Sequence, residues 1–497
     1  MKSENFSSIV VKNSAYQFIR IGISRVGGLI FSIILARLLL PELFGIYSLA
    51  LSIVLIVFTL TDLGIGGTAT RYISEALGIN NKPLARSYFR YLLKLKGLLV
   101  CVAIIIVLLS SKFIANNIFD KPLLYLPLIF SCLYILTYSL ATFIMNIFIC
   151  LKDIKKLSII ELNLQILRVI FAFIALLVLS SKYKVSGIFI ALAFAYLLSF
   201  LLSLKLLNKN RDIIFGKTIN IDKQRVFNFL KFTSLGGISI LFFGSIDTLM
   251  LGYFVEAAYI GFYRAALGLV CAVAGLLAFS SVLLPIFIQA NKERLIRGFN
   301  QTMRYTLILV IPITLGVVCV VKYFISAVYG NEYLLAALPL YFLAILIIVL
   351  PLESLYSMIF SIKENPKFLA KFLSISLITN IILNLIFIKV FFGTNNINIM
   401  IGVAIATVCS RLFYCVTMII KTRKAYNIKP KIKYVWKILI ASGVMVCFLL
   451  IYNSIVDMNL FLGILEIIIA GGLYFGLLFL LKELTKEDLN VLKLLKN

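Results

Sequence analysis

Charged side chains interrupt several long apolar stretches of this sequence, and they are its main candidates for chemistry. Arg25, Arg168 and Arg411 lie near the middle of such stretches, whereas Arg264 lies nearer the end of one. An ionised group at the centre of a membrane helix costs about 2.5 to 3.5 kcal/mol, so it usually faces a cavity or a partner. Because a guanidinium presents several donors in one plane, arginine suits a grip on phosphate oxygens. These arginines therefore predict contact with an anionic group.

The first apolar stretch has one polar face at the helical repeat of about 100° per residue. The residues on or beside this face are Gln17, Arg20, Ser24, Arg25, Gly28 and Ser32. The seventh stretch carries a narrower stripe of the same kind, made of Thr233, Gly236, Gly244 and Asp247. Both faces predict helices that border a cavity, and tight packing through small residues is the alternative reading of the glycines.

The acidic residues within the apolar stretches divide into two groups. Asp62 and Asp247 are candidates to bind a coupling ion, either Na⁺ or H⁺. Glu161, Glu353 and Glu466 have no supporting motif and are expected to pack or to pair. Glu161 and Arg168 are seven residues apart on one helix face, which favours an ion pair between them.

The sequence lacks the residues and motifs that several other kinds of chemistry require. There is no histidine, the commonest general base and a frequent metal ligand. The eight cysteines are scattered in or beside apolar stretches without a C-x-x-C pair, which predicts packing. The phosphate cradle G-x-x-x-x-G-K-[ST] is also missing. We therefore expect no catalytic residues, no metal and no cofactor, and energy from a coupling ion or from the membrane potential.

The composition places these residues in membrane helices. Of 497 residues, 62% are hydrophobic and 14% charged, against about 25% charged in soluble domains. About fourteen apolar runs, of roughly 22 residues each, are long enough to cross a bilayer. They cover residues 14–37, 43–70, 88–109, 122–149, 158–180, 186–207, 227–253, 258–289, 304–328, 333–361, 368–392, 398–420, 435–452 and 459–481. The prediction is an all-α integral membrane protein with 14 transmembrane helices, an interpretation that leaves no room for a large external catalytic domain.

The basic residues predict the orientation in the membrane. Formal net charge is +28, from 48 Lys and Arg against 20 Asp and Glu. Most of the Lys and Arg lie in alternate connections, those that face the cytoplasm if the N-terminus does, and cytoplasmic loops collect Lys and Arg for topology alone. The opposite connections hold Arg37, Lys112, Lys121, Lys182, Lys184, Lys322 and Lys389. We expect both termini in the cytoplasm, a multi-pass protein of the plasma (inner) membrane, and no nucleic acid as partner.

Two halves of the chain resemble each other. Residues 44–51 (F-G-I-Y-S-L-A-L) align with 260–267 (I-G-F-Y-R-A-A-L), and 90–95 align with 304–309 at a nearly equal spacing. This pattern predicts two six-helix lobes related by a pseudo-two-fold axis along the membrane normal. The predicted domains are an N-terminal lobe (1–207), a basic cytoplasmic linker (208–226), a C-terminal lobe (227–420), and two further helices with a cytoplasmic tail (421–497).

Three segments near the N-terminus carry a resemblance to a known family. They are residues 24–28 (S-R-V-G-G), 36–47 (A-R-L-L-L-P-E-L-F-G-I-Y) and 61–66 (T-D-L-G-I-G). They resemble the N-terminal signature of polysaccharide-transporter (Wzx-type) flippases of the multidrug/oligosaccharidyl-lipid/polysaccharide (MOP) exporter superfamily. One departure is Leu40, where this pattern usually has glycine.

The resemblance implies a flippase that moves polyisoprenyl-diphosphate-linked oligosaccharide from the cytoplasmic to the outer leaflet by alternating access, for surface polysaccharide biosynthesis. Its implied partners are the lipid-linked oligosaccharide, membrane lipid, and a polysaccharide polymerase and ligase. In the similar flippases of lipid-linked peptidoglycan precursors, arginines of the first and eighth helices engage the diphosphate, and Arg25 and Arg264 match those positions. Arg20, Ser24 and Gln17 complete the expected substrate-binding set. A cation-coupled multidrug antiporter and an integral membrane enzyme of polysaccharide assembly remain alternatives.

Overall fold

The described part of the chain consists of helices joined by short turns. The structure is a computed structural model, and it describes residues 2–208, 212, 214–278, 287, 291–362, 366–426, 428, 434–456 and 460–484. The longer helices are α1 (Lys2–Asp62), α2 (Ile65–Gly78), α3 (Lys82–Phe113), α4 (Tyr125–Cys150), α5 (Ile154–Val178), α6 (Lys184–Leu207), α7 (Lys223–Phe254), α8 (Ala257–Leu277), α9 (Lys292–Cys319), α10 (Val321–Tyr329), α11 (Ala337–Leu343), α12 (Leu346–Ile362), α13 (Pro366–Phe391), α14 (Asn396–Tyr426), α15 (Val435–Ile455) and α16 (Leu460–Leu480). The all-helical prediction is confirmed for these residues.

Short polar side chains mark where several of these helices begin. The side chains of Asn81, Asp153, Asp222 and Asn291 each accept a hydrogen bond from the backbone N–H three residues later, at the starts of α3, α5, α7 and α9. Such a cap satisfies one of the N–H groups that a helix start leaves without an intrahelical partner. A polar cap followed by a first turn rich in Lys and Arg therefore marks where these four helices start.

Eleven helical segments within the described residues are long and apolar enough to cross a membrane, or up to twelve if a pair bent by 46° is one span. The first segment, Ile19–Gly78, contains both of the first two predicted spans. The predicted seventh span coincides with α7, which is not among the eleven. The multi-pass prediction is confirmed, and the count of fourteen stays a prediction.

A backbone break at Leu40 separates the first two predicted spans inside α1. Leu40 adopts φ 61° and ψ 170°, and Pro41 follows it. Glycine reaches this region of backbone space at little cost, whereas a side chain on Cβ is strained there by about 1 to 3 kcal/mol. The conformation explains why the resembling signature has glycine at this position.

The helices form two compact units, each with its own packing. Unit 1 comprises residues 1–264 and 373–403, and unit 2 comprises 265–372 and 404–497. These units do not follow the predicted lobe boundaries at 207 and 420, because α7 packs against α1 and α2, and α13 contacts α7 through the hydrogen bond from Asn384 to Asp247. The predicted lobes and their symmetry stay predictions, and residues 485–497 of the predicted tail lie outside the described part.

Two glycines from the matching octapeptides bring α1 and α8 into close contact within unit 1. A Cβ added at Gly45 would lie 1.7 Å from the carbonyl oxygen of Ala257, and one added at Gly261 would lie 2.1 Å from that of Pro41. Only glycine permits this approach of two backbones. The sequence match therefore marks a helix crossing to which both octapeptides contribute.

The basic linker is fastened to the start of α3. Arg86 donates hydrogen bonds to the carbonyl oxygens of Asp212 and Lys217, and Arg90 donates to that of Ile214 at 3.2 Å. Lys82 forms an ion pair of 2.8 Å with the carboxylate of Asp212 and holds the pKa of that group below its ordinary value. Side chains of α3 thus hold the backbone of the linker's described part.

The break at Leu40 gives a first testable prediction. Leu40→Gly should raise the stability of the purified protein by about 1 to 3 kcal/mol, because it relieves the φ strain and because the Leu40 side chain is 53% exposed and loses little packing. Thermal unfolding in lipid nanodiscs measures the change as a rise in apparent Tm.

The matched control is Leu98→Gly, at an exposed position within regular α3. It should lower stability by about 1 kcal/mol, the helix cost of glycine. A fall in apparent Tm for both variants would contradict strain at Leu40.

Candidate substrate cavity

Unit 1 encloses a cavity of about 450 Å³ between its first six helices. Its polar wall is formed by Arg20, Ser24, Asp62, Lys96, Asn146 and Glu161. Its aromatic wall is formed by Phe58, Tyr138, Phe143 and Tyr196. Binding sites for organic ligands have this size and this combination of apolar walls with a few placed polar groups.

Asp62 and Lys96 form an ion pair on this wall. Lys96 Nζ lies 2.9 Å from Asp62 Oδ1, and the Lys96 side chain is only 4% exposed whereas that of Asp62 is 44% exposed. The lysine is therefore buried behind the carboxylate, and the carboxylate faces the cavity. The Lys96 ammonium would compete with a coupling ion for the Asp62 carboxylate. The role of Asp62 in ion coupling stays a prediction.

A second break in the chain positions Asp62. Leu63 and Gly64 adopt positive φ values of 37° and 79° between α1 and α2. Asn146 of α4 donates to the carbonyl oxygen of Gly66 at 2.6 Å and accepts from the hydroxyl of Thr70 at 3.2 Å. One half-buried amide on α4 therefore holds the start of α2 and, with it, the acidic wall of the cavity.

The aromatic wall is a stack of rings from three helices. Phe58 and Tyr138 are parallel with ring centroids 3.9 Å apart, and Tyr196 lies 5.1 Å from Tyr138. Tyr134 backs this stack at 5.5 Å from Tyr196. Aromatic faces beside hydrogen-bonding groups suit a ligand with both apolar C–H faces and hydroxyl groups.

Glu161 and Arg168 do not form the predicted ion pair. Glu161 lines the cavity and accepts a hydrogen bond of 2.7 Å from Gln165, one turn away. The Arg168 guanidinium instead lies over the ring of Phe31 at 4.7 Å, and its Nε and Nη2 atoms are buried without a hydrogen-bond partner. In place of the expected ion pair, Glu161 contacts the amide of Gln165, and Arg168 contacts the ring of Phe31 on α1.

The predicted substrate-binding residues of α1 do not all reach the cavity. Arg20 and Ser24 line it, and Gln17 accepts a hydrogen bond of 3.2 Å from Arg20, which positions the guanidinium. Arg25 is exposed and does not line this cavity. Of these two arginines of α1, Arg20 is thus the one that lines the cavity in unit 1.

Asp247 belongs to a separate buried polar cluster of unit 1. Its carboxylate accepts hydrogen bonds from Asn384 at 2.8 Å and from the hydroxyl of Tyr263 at 2.9 Å. Asn380 lies one turn before Asn384 and contacts it at 3.2 Å. This cluster offers carboxylate, amide and hydroxyl oxygens, the ligand types that hard cations prefer.

Arg264 lies beside this cluster rather than in the cavity. Its Nη1 donates weakly to the carbonyl oxygen of Gly244 on α7 at 3.4 Å. The side chains of Thr233 and Gly236, predicted to share a stripe with Asp247, lie outside the described residues. The structure therefore groups Arg20, Ser24 and Asp62 in one site, and Asp247 and Arg264 in another part of the same unit.

Several cavity residues were missed at the sequence level. Lys96 stands at the end of a basic segment and looks like part of a cytoplasmic connection, although its position about two turns inside the third apolar run was a signal. Asn146 is an uncharged amide inside the fourth run, which had the same kind of signal. Tyr138 and Tyr196 could not be distinguished from ordinary core aromatics by spacing alone.

The chain matches known proteins in one family and in several solved structures. Residues 10–291 match the family described as polysaccharide biosynthesis protein. The chain is 19% identical to a lipid II flippase MurJ in an inward closed conformation, with a TM-score of 0.70 over 94% of this chain and 98% of that one. No curated protein sequence matches this chain.

Multidrug transporters share the same fold. One inward-facing MATE family transporter of the MOP superfamily is 14% identical, with a TM-score of 0.60 over 84% of this chain and 96% of that one. The MATE transporter VcmN of Vibrio cholerae is also 14% identical, with a TM-score of 0.57 over 85% and 98%. At these identities the likeness establishes the fold of the MOP superfamily.

The unequal burial of Lys96 and Asp62 yields the second prediction. Asp62→Asn should lower the free energy of unfolding by about 3 kcal/mol, the lower end for breaking a buried ion pair, because it leaves the buried ammonium of Lys96 unpaired. Lys96→Met should cost less, since the remaining carboxylate is half exposed to the cavity. Apparent Tm values of the purified variants measure the difference.

The double variant separates pairing from packing. Asp62→Asn combined with Lys96→Met should be more stable than Asp62→Asn alone, because no unpaired ammonium remains. If the two losses simply add, the ion pair does not contribute to the stability of unit 1.

Proposed function

The chain belongs to the polysaccharide biosynthesis protein family, and we propose that it is a flippase for polyisoprenyl-diphosphate-linked oligosaccharide. It moves this substrate from the cytoplasmic to the outer leaflet by alternating access, for surface polysaccharide biosynthesis. The observation that carries the proposal is the cavity of unit 1, which combines aromatic rings with charged and amide groups between membrane helices.

The cavity suits the saccharide part of such a substrate. A sugar ring has apolar C–H faces for the Phe58 and Tyr138 wall and hydroxyl groups for Asp62 and Asn146. The cavity has a volume of about 450 Å³, which lies within the range of pockets that enclose small organic ligands. A saccharide crossing the membrane needs such a wall, because its hydroxyls lose their water there.

The diphosphate part requires positive charge. Arg20 brings a guanidinium to the cavity wall, and Gln17 orients it. Arg25 and Arg264, the positions that match the diphosphate-binding arginines of similar flippases, complete the proposed anion-binding set. Paired cations favour a diphosphate in a site of low dielectric constant, where an unpaired anion is costly.

Energy for transport is proposed to come from a coupling cation or from the membrane potential. Asp247 fits the role of cation ligand better than Asp62 does, since its carboxylate accepts hydrogen bonds from two neutral groups, the Asn384 amide and the Tyr263 hydroxyl, whereas Asp62 already holds the Lys96 ammonium. A cation at Asp247 would displace the Asn384 N–H donor, so binding would require that amide to turn.

The membrane arrangement extends the proposal. Fourteen spans in two pseudo-symmetric lobes, both termini in the cytoplasm, and residence in the plasma membrane agree with the apolar runs and with the bias of Lys and Arg. A polysaccharide polymerase and ligase are the proposed consumers of the product.

A cation-coupled multidrug antiporter is the competing function, since its members share the fold. Such an antiporter needs an acidic group in the drug cavity that is free to take a cationic drug or a proton. Of the two carboxylates that line the cavity of unit 1, Asp62 already has the Lys96 ammonium at 2.9 Å and Glu161 accepts a hydrogen bond from Gln165 at 2.7 Å. This internal pairing favours a saccharide over a cationic drug.

The third prediction tests the function in cells. Deletion of the gene should cause lipid-linked saccharide to accumulate facing the cytoplasm while synthesis of the repeat unit continues. The measurement is the leaflet distribution of the labelled intermediate in inverted and intact vesicles. Accumulation already exposed outside would place the defect in polymerisation or ligation and would overturn the proposal.

Complementation of the deletion tests the proposed residues. Arg20→Ala should restore less than about a tenth of export, the loss that removing one charge-assisted contact of 1.4 kcal/mol or more produces. Arg20→Lys should retain part, because it keeps the charge without the planar fork. Arg25→Ala and Arg264→Ala should behave like Arg20→Ala, whereas Lys182→Ala, at an exposed turn, should export normally at equal membrane levels.

A further inference from the structure

A buried carboxylate in unit 2 has no role in the proposed transport of saccharide. Helix α16 (Leu460–Leu480) buries one narrow stripe at every fourth residue, made of Glu466, Ala470, Tyr474 and Leu478. Tyr474 donates a hydrogen bond of 2.7 Å to the carbonyl oxygen of Ile308, which anchors this stripe on α9. Glu466 is the one charged residue in the sequence of α16.

Glu466 has no hydrogen-bond partner within the described residues. Its exposed fraction is 0%, and both carboxylate oxygens are buried without a donor. Buried polar groups are normally satisfied, and an ionisable residue within a membrane span usually marks a functional site. The carboxylate therefore points to a ligand that supplies N–H or O–H donors.

Two adjoining cavities of unit 2 give such a ligand its space. The first, of about 370 Å³, has Glu466, Tyr323, Phe324 and Ser326 on its wall. The second, of about 300 Å³, runs between α9, α15 and α16 and is lined almost entirely by apolar side chains. Phe324 borders both cavities, so an acidic and aromatic cavity adjoins an apolar one.

We propose that these cavities bind a membrane lipid with a primary ammonium head group, an aminophospholipid of the phosphatidylethanolamine type. The ammonium lies at Glu466, whose buried carboxylate turns into the cavity so that the N–H groups satisfy its two unpartnered oxygens. The aromatic rings of Tyr323 and Phe324 favour a cation beside them. The apolar cavity takes the first part of an acyl chain.

Charge excludes the transported lipid from this place. A diphosphate brought to Glu466 meets a carboxylate in a cavity that no described Lys or Arg lines, whereas Arg20 and Lys96 stand beside the acidic groups of the cavity in unit 1. Like charges repel strongly in a site of low dielectric constant. The site is thus a second lipid site, independent of the proposed flippase substrate.

A proton on Glu466 would remove its charge, and a protonated Glu466 would have no preference among lipid head groups. A quaternary ammonium would supply charge but no N–H donor. Phosphatidylcholine is therefore the sharpest comparison lipid, because it differs from phosphatidylethanolamine at the ammonium alone.

The fourth prediction is selective retention of phosphatidylethanolamine. The full-length protein is equilibrated in nanodiscs with equal amounts of phosphatidylethanolamine, phosphatidylcholine and phosphatidylglycerol, extracted into mild detergent, and analysed by native mass spectrometry. The wild type should retain phosphatidylethanolamine over phosphatidylcholine by about tenfold, the factor that a charge-assisted hydrogen bond supplies.

Two variants test the two ends of the site. Glu466→Gln should abolish this preference, since a neutral amide does not attract the ammonium. Gly471→Leu should reduce retention of all three lipids, because a Cβ at Gly471 meets no atom within 4 Å and its side chain enters the apolar cavity. Glu332→Gln, the same chemical change at an exposed position, should leave the preference intact.

Either of two outcomes overturns the proposal. One is equal retention of phosphatidylethanolamine and phosphatidylcholine by the wild type. If the apparent Tm of the wild type also depends on pH and that of Glu466→Gln does not, Glu466 is a proton site alone. The other is an unchanged preference in Glu466→Gln. Neither outcome bears on saccharide export, so failure here is distinct from failure of the proposed function.

Discussion

The cost of placing charge among hydrocarbon determines where the polar residues of this chain can lie. Each ionised group inside a span must have a partner, a ring or a cavity. Unit 1 meets this constraint by burying Lys96 behind Asp62 at 2.9 Å and by turning the carboxylate toward a cavity. Arg168 meets it with the ring of Phe31. The helices around the cavity are therefore arranged by their few charges as well as by apolar packing.

Interruptions of the helices make room for these charges. The break at Leu63 and Gly64 ends α1 immediately after Asp62, and Asn146 binds the backbone of the next turn. Through the Gly66 carbonyl oxygen and the Thr70 hydroxyl, this amide ties the start of α2 to α4. The contact of Gly45 with Ala257 brings α8 against α1 near the other break. Local backbone chemistry thus sets the positions of the cavity walls.

The sequence predicted the helical elements well and the site only in part. Apolar runs and their polar caps define the helices, so nearly every predicted run coincides with an observed helix. The predicted polar face of α1 held Ser24 and Arg25 within an arc of about 100° and left Arg20 about 40° beyond it. In the structure Arg20 lines the cavity with Ser24, and Arg25 is exposed. The pairing of Glu161 with Arg168 was wrong because Gln165 is the nearer partner of Glu161. Lys96 pairs with a residue on another helix, and such contacts depend on packing that one sequence does not reveal.

The central claim is that the cavity of unit 1 receives the saccharide of a lipid-linked substrate, and photo-crosslinking tests it most directly. A photoreactive phenylalanine derivative replaces Tyr196, which lines the cavity, or Phe194, which lies two residues away on the same helix and is 50% exposed. In membranes that contain labelled lipid-linked saccharide, the account predicts crosslinks to the saccharide from position 196 and crosslinks to bulk lipid alone from position 194. Equal saccharide crosslinking from both positions, or none from position 196 in a protein that still exports, would contradict it.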